Sequence, residues 1–164
     1  FSDIGNTASL QFHKGIHKIS RFADIITAHV ISGESIIDGL KHNYTDVVPK
    51  CHACLLVAQM SCDGNLLMDC HIDASLEIAR KHTDFVIGFV CQQKIDFSGN
   101  FLHFMPGVSL DTKSDLLGQK YKTPQEAIEN GADIIIVGRS ISKAVDPAAE
   151  AKRYNESINK DFFL

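Results

Sequence analysis

An α/β fold built on a parallel sheet is what these 164 residues predict. Three observations carry it. Short apolar runs alternate with amphipathic stretches whose ends bear helix signals, the strand-then-helix rhythm of parallel sheets. The apolar runs are rich in β-branched and aromatic residues, as strands covered on both faces are. Glycine-bearing or polar motifs close those runs, "VGRS" most plainly, which sets them at the carboxyl edge of a sheet, where ligands gather in such folds.

Taken in order, "NTASLQFHKGIHKIS" reads as a helix with Phe12, Ile16 and Ile19 on one face, and the plain role of Asn6 or Thr7 is to cap it. "ADIITAHV" at 23–30 and "ACLLVAQM" at 53–60 are the first two strands. Asp73 then caps a helix through "ASLEIARKH", whose basic last turn suits the helix dipole. "DFVIGFVC" at 84–91 and "FLHFMPGV" at 101–108 follow as strands. The "QQKIDFSGN" between them falls short of a crossover helix of about a dozen residues, so a brief turn is expected. Thr123, Pro124 and Glu126 make a capping box with proline at the first helical position, and Gly131 stands where a C-terminal glycine belongs. "DIIIVGRS" at 133–140 is the fifth strand, with Ile134 to Val137 covered on both faces, and Asp146-Pro147 opens a last helix. No repeat, low-complexity tract or linker interrupts this order, so residues 1–164 are expected to lie within one domain.

Composition narrows the function classes. With 45% hydrophobic residues the chain can bury a core, and 16 Lys plus Arg against 20 Asp plus Glu leave net charge −4. No overall basic field draws it to nucleic acid or anionic membrane, so any anion site must be local. No apolar run approaches the roughly 20 residues of a bilayer span, and no signal-peptide pattern opens the chain; a cytoplasmic location is expected. Five cysteines, an odd number among strand-like segments, suit free buried thiols in a reducing compartment. "CHAC" at 51–54 with Cys70 and His71 has superficial zinc spacing, but Cys54 opens a buried strand and Cys70 leads into a helix cap, so no metal is expected. The chain starts at Phe1 with no methionine, and further sequence is expected upstream.

Pattern alone leaves two parallel architectures, a doubly wound sheet and a (β/α)₈ barrel. The barrel is favoured because its phosphate site is commonly built by the loops after its last two strands, and here the last two end in "PGV" and "VGRS". Five strands cannot close a barrel, which needs about eight. The expectation is therefore the last five to six β/α units of a TIM (β/α)₈ barrel, with the remaining strands upstream.

The candidate chemistry sits at those strand ends. Gly138 lets the backbone approach a ligand, and Arg139 offers a planar fork for two phosphate oxygens, with amides of the next helical turn beside it. Gln119 and Tyr121 in "GQKYKT" alternate outward on one side of an extended segment and can face the same anion. Ser61 at the rim can bond a planar polar ring while Met60 packs beside it. Asp3 and Thr7 mark a strand-to-helix transition. Each has a plain alternative: a surface arginine, a polar loop, a capping serine, a helix cap.

In this order "SDIGNT", "TAHV", "MSCDG", "FVIGFV", "PGVSLD", "LGQKYKTPQEAI" and "DIIIVGRSI" resemble orotidine 5'-monophosphate decarboxylases, including the carboxyl-terminal half of animal uridine monophosphate synthase. The resemblance covers essentially the whole chain. It implies a TIM barrel, a homodimer, no metal or organic cofactor, and conversion of orotidine monophosphate to uridine monophosphate. Of the family's D-x-K-x-x-D hallmark only Phe1, Ser2 and Asp3 are present, so the lysine and first aspartate would precede Phe1. The resemblance implies that Asp3 joins a charged network, reaching with Ile4 and Thr7 into the partner subunit's site. It implies further that Ser61 contacts the pyrimidine, that Met60 and Pro106 line the base pocket, and that Gln119, Tyr121, Gly138 and Arg139 hold the 5'-phosphate. Met105, where a threonine is common, and "NLLMD" after Gly64 depart from the pattern. Two other readings remain: a different phosphate-binding barrel enzyme, such as a sugar-phosphate lyase or isomerase, or an inactive fragment serving only as a dimerisation module.

Overall fold

The computed structural model describes residues 1–41, 52–112, 114–116 and 118–159. Five strands form one sheet: β1 (Ile25–Ala28), β2 (Ala53–Val57), β3 (Val86–Val90), β4 (Leu102–Met105) and β5 (Ile134–Ile135). Their order is β1-β2-β3-β4-β5 and every pairing is parallel. That order decides between the two architectures. A doubly wound sheet reverses direction at a switch point, whereas a barrel wall adds each strand beside the one before. The helices are α1 (Gly5–His13), α2 (Ser35–Lys41), α3 (Asp69–Lys81), α4 (Pro124–Glu129), α5 (Arg139–Ser142) and α6 (Pro147–Asn159). Residues 92–101, between β3 and β4, hold no helix, as the short connection required.

Side chains alternate across the sheet. Ile26 and Ala28 of β1, Cys54 and Leu56 of β2 and Phe89 of β3 are buried in one core with Ala8, Phe12, Ile36, Ile37 and Leu40 from α1 and α2. Burying Phe12 or Phe89 contributes roughly 1.5–3 kcal/mol each. A second, smaller core gathers Met105, Val108, Ala127 and Tyr154, with Ile135 and Val137 packed against it. The opposite face of the sheet is concave in a barrel, and its residues at the two sheet margins are open: Ile25 is 47% exposed and Ile134 41%. The expectation that Ile134 to Val137 are covered on both faces therefore fails: β5 ends at Ile135, and Ile134 and Ile136 lie exposed.

Several helix boundaries also differ from expectation. α1 begins at Gly5 with Ile4 as N-cap, and neither Asn6 nor Thr7 caps it; Ile16 lies beyond the helix and is 91% exposed. α3 starts at Asp69, four residues before Asp73, because the run from Cys70 onward is already helical. The carboxyl-terminal signals hold. Thr123 Oγ1 accepts from the Glu126 amide while Glu126 accepts from the Thr123 amide, Gly131 has φ +86°, and Asp146 Oδ1 accepts from the Ala148 and Ala149 amides.

His103, 1% exposed, ties β4 to its flanking loops. Its Nε2 accepts the Asp96 amide at 3.1 Å, so the proton sits on Nδ1, which lies 3.1 Å from Asp133 Oδ2. Burial pushes the Asp96 carboxyl up, but hydrogen bonds from Ser98 and the Arg80 charge more than offset it and hold it below the ordinary range. His103→Leu is expected to cost about 1–3 kcal/mol, because the buried Asp96 amide loses its acceptor. Urea unfolding measures the loss.

Candidate functional site

The strand ends meet on one rim, and the segment 118–123 stitches them together. The Lys120 amide donates to the Ser61 carbonyl after β2 (2.9 Å), and the Lys122 amide donates to the Gly107 carbonyl after β4 (2.8 Å). Ser109 returns a bond to the Lys122 carbonyl at 2.9 Å. Two separate strand ends are thereby spanned by the three residues 120–122. The turn feeding this segment is closed by Asp115, whose amide donates to the Gln119 carbonyl (3.1 Å) and whose Oδ1 accepts the Gln119 amide (3.0 Å).

Gln119 and Tyr121 divide between two neighbours. Gln119 Nε2 lies 2.6 Å from Ser61 Oγ and 2.9 Å from the Ser61 carbonyl, while the Tyr121 hydroxyl accepts from Arg139 Nη2 at 2.8 Å. The alternation along the segment is as expected, yet in this structure the amide turns to the β2 rim and the phenol to the β5 rim. Arg139 is the first residue of α5, immediately after Gly138, and nothing lies within 4 Å of where a Gly138 Cβ would be. The same Nη2 is 2.8 Å from Asp115 Oδ2.

Gly107, which sequence reasoning passed over, is a tight point of this rim. Its φ is +74°, and a Cβ there would meet the Lys120 carbonyl oxygen at 2.7 Å, Ser61 Cβ at 2.8 Å and Gln119 Nε2 at 3.0 Å. The signal was available, since Pro106-Gly107 is a strong turn dipeptide. Gln92 was also missed: its side-chain amide reaches the Pro106 carbonyl (3.4 Å) and its own carbonyl accepts from the Lys122 ammonium (2.6 Å). Burial holds that ammonium below the ordinary lysine range.

Met60, 43% exposed, and Ser61 line a cavity of about 600 Å³ with Gln92, Tyr121 and Lys122. Pro106, Gly138 and Arg139 do not line it, so the cavity borders the Tyr121–Arg139 pair and does not enclose it. Asp3, Ile4 and Thr7 form a separate cluster near the end of β1. The Phe1 amino group donates to the Thr27 carbonyl and the His29 amide to the Phe1 carbonyl, both at 2.8 Å, the pattern of a parallel strand residue opposite Ala28. Asp3 therefore leaves at the same rim. It is exposed, its Oδ1 accepts the Ile4 amide, and Ile4 is 59% exposed.

The thiols are not uniformly buried. Cys54 and Cys91 are, and burial pushes both up to about 12, but Cys70 is exposed on α3 and Cys62 lies between. Cys51 of the "CHAC" spacing lies outside the described residues. Iodoacetamide at about pH 8 is expected to label Cys70 in the folded chain and to reach Cys54 and Cys91 only after denaturation. Peptide mass spectrometry reads the order.

Comparison with known proteins follows this geometry. A family model described as "Orotidine 5'-phosphate decarboxylase / HUMPS family" matches residues 1–154. Orotidine 5'-phosphate decarboxylase of Schizosaccharomyces pombe is 43% identical over 160 residues, covering 96% of this chain and 60% of that protein. Uridine 5'-monophosphate synthase of Bos taurus is 40% identical over 158 residues, covering 96% of this chain and 32% of the relative. The chain thus spans about three fifths or less of these relatives. Among solved structures, orotidine 5'-monophosphate decarboxylase from Sulfolobus solfataricus superposes with TM-score 0.70 at 25% identity, covering 99% of this chain and 72% of that one.

Proposed function

Because the chain belongs to the orotidine 5'-phosphate decarboxylase / HUMPS family, we propose that it supplies the nucleotide-holding wall of an enzyme that decarboxylates orotidine 5'-monophosphate to uridine 5'-monophosphate, a step of pyrimidine synthesis. The observation that carries this reading is the bridge from Ser61 through Gln119 and Tyr121 to Arg139. It sets a hydroxyl suited to a planar base at one end and a guanidinium suited to a phosphate at the other.

In this reading Ser61 bonds the pyrimidine edge, Met60 and Pro106 flank the ring, and Gln119, Tyr121, Gly138 and Arg139 hold the 5'-phosphate. Loss of carbon dioxide leaves negative charge on a ring carbon with no neighbour to spread it, so fixed charges must stabilise it. On this reading the ammonium of D-x-K-x-x-D would lie just ahead of Phe1, with Asp3 as the last residue of that network. Grip on the remote phosphate orients the ring, so binding energy far from the reacting carbon lowers the barrier. Asp3, Ile4 and Thr7, exposed or half-exposed at the rim, would reach the partner site of a homodimer, and residues 1–164 would be the carboxyl-terminal part of one barrel domain.

The test is binding and turnover together. This chain is expected to bind uridine monophosphate more tightly than ribose 5-phosphate, and an amino-terminally extended chain carrying the full hallmark is expected to release carbon dioxide from orotidine monophosphate. Equal affinity for the two ligands favours a sugar-phosphate enzyme, and no release from the extended chain overturns the reaction.

A further inference from the structure

We infer that Asp115 is an internal competitor for the phosphate site, a carboxylate that occupies Arg139 until an anionic ligand displaces it; this rests on the reading of Arg139 as a phosphate ligand. Asp115 Oδ2 lies 2.8 Å from Arg139 Nη2, on the same nitrogen that donates to Tyr121. Its other oxygen accepts the Gln119 main-chain amide at 3.0 Å. A guanidinium and a main-chain amide are the two kinds of donor with which proteins hold phosphate. In this structure one carboxylate has both.

The two anions cannot share that place without cost. A phosphate dianion on Arg139 would sit beside a carboxylate already neutralising the same cation, and like charges at such range repel. Asp115 is also sheltered, its side chain 21% exposed against 52% for Arg139, so water screens the repulsion less there than on the open surface. The turn carrying it is closed by bonds within residues 115–119, from the Asp115 amide to the Gln119 carbonyl and from the Gly118 amide to the Asp115 carbonyl. Swinging the carboxylate off Arg139 breaks the side-chain contacts and leaves these two intact. Affinity for the phosphate end is then set by a contest, and Asp115 lowers it without touching the base.

Asp115→Asn keeps an oxygen for the Gln119 amide and removes the charge. Asp115→Ser removes charge and reach, guarding against an effect peculiar to the amide. Calorimetric titration of the 164-residue chain with uridine monophosphate should show both variants binding about threefold tighter, the scale of a partly exposed ion pair. Uridine, lacking phosphate, should bind as to the unaltered chain, which a general loosening of the loop would not produce. Thermal melting checks that each variant is folded. Unchanged or weaker uridine monophosphate binding in the variants, with Arg139→Ala still losing it, overturns the competitor role and leaves the phosphate site standing. If Arg139→Ala binds uridine monophosphate as well as the unaltered chain does, the site reading itself is overturned and the competitor role with it.

Discussion

Arg139→Ala is expected to weaken uridine monophosphate binding between about tenfold and a hundredfold, the scale of losing charge-assisted hydrogen bonds to a buried-on-binding anion. Uridine should be unaffected. The reason is geometric: Arg139 stands at the first position of α5 and is bonded to Tyr121 and Asp115, on the far side of the segment from the Gln119–Ser61 bond. Its removal takes charge from the phosphate end alone and leaves the Asp115 carboxylate beside the incoming phosphate without the guanidinium between them. Arg139→Lys keeps the charge but not the planar fork, and should fall between. In an extended, active chain the same substitution should lower kcat/KM for orotidine monophosphate far more than for its unphosphorylated nucleoside. Equal losses with both ligands would refute the assignment.

Gly107→Ala is expected to damage both the fold and the rim with a single methyl group. A non-glycine residue at φ +74° costs about 1–2 kcal/mol by itself. The added carbon must also displace a main-chain carbonyl 2.7 Å away, which a flexible side chain could yield but a hydrogen-bonded backbone does not. Together the loss should reach about 2–4 kcal/mol, read as a lowered urea midpoint. The displaced carbonyl belongs to Lys120, so the stitched segment moves with it and nucleotide binding should fail even where the variant is still folded. A variant that keeps both its midpoint and its affinity would show that the crowding around Gly107 relaxes freely.

Much of this architecture was legible because it is local. The capping box at Thr123, the Asp146-Pro147 start and the first four strand runs are set by neighbouring residues and appear within the stretches the sequence assigns them, whereas the fifth run, read over 133–140, is a strand only at Ile134–Ile135 and is helical from Arg139. Errors came where a signal was ambiguous. Asp73 is a good cap residue but sits in a run already committed to helix, and the isoleucines of "IIIV" look buried in sequence although β5 has a neighbour on one side only. The site residues at Ser61, Gln119, Tyr121 and Arg139 were nameable one by one. Their pairing was not, because the Ser61 to Gln119 contact joins positions 58 apart and depends on strand order. Asp115 carried no signal at all: its partner is twenty-four residues on, and nothing in "KSDLL" marks a carboxylate aimed at a distant guanidinium.

The division of the interior into a large and a small hydrophobic group carries a thermodynamic implication. Ser61 follows a strand of the larger group and Arg139 follows a strand packed on the smaller, so the nucleotide would straddle the seam between two units of unequal resilience. A molecule bound across a seam welds it. Calorimetry is expected to resolve two unfolding transitions without nucleotide and one with it.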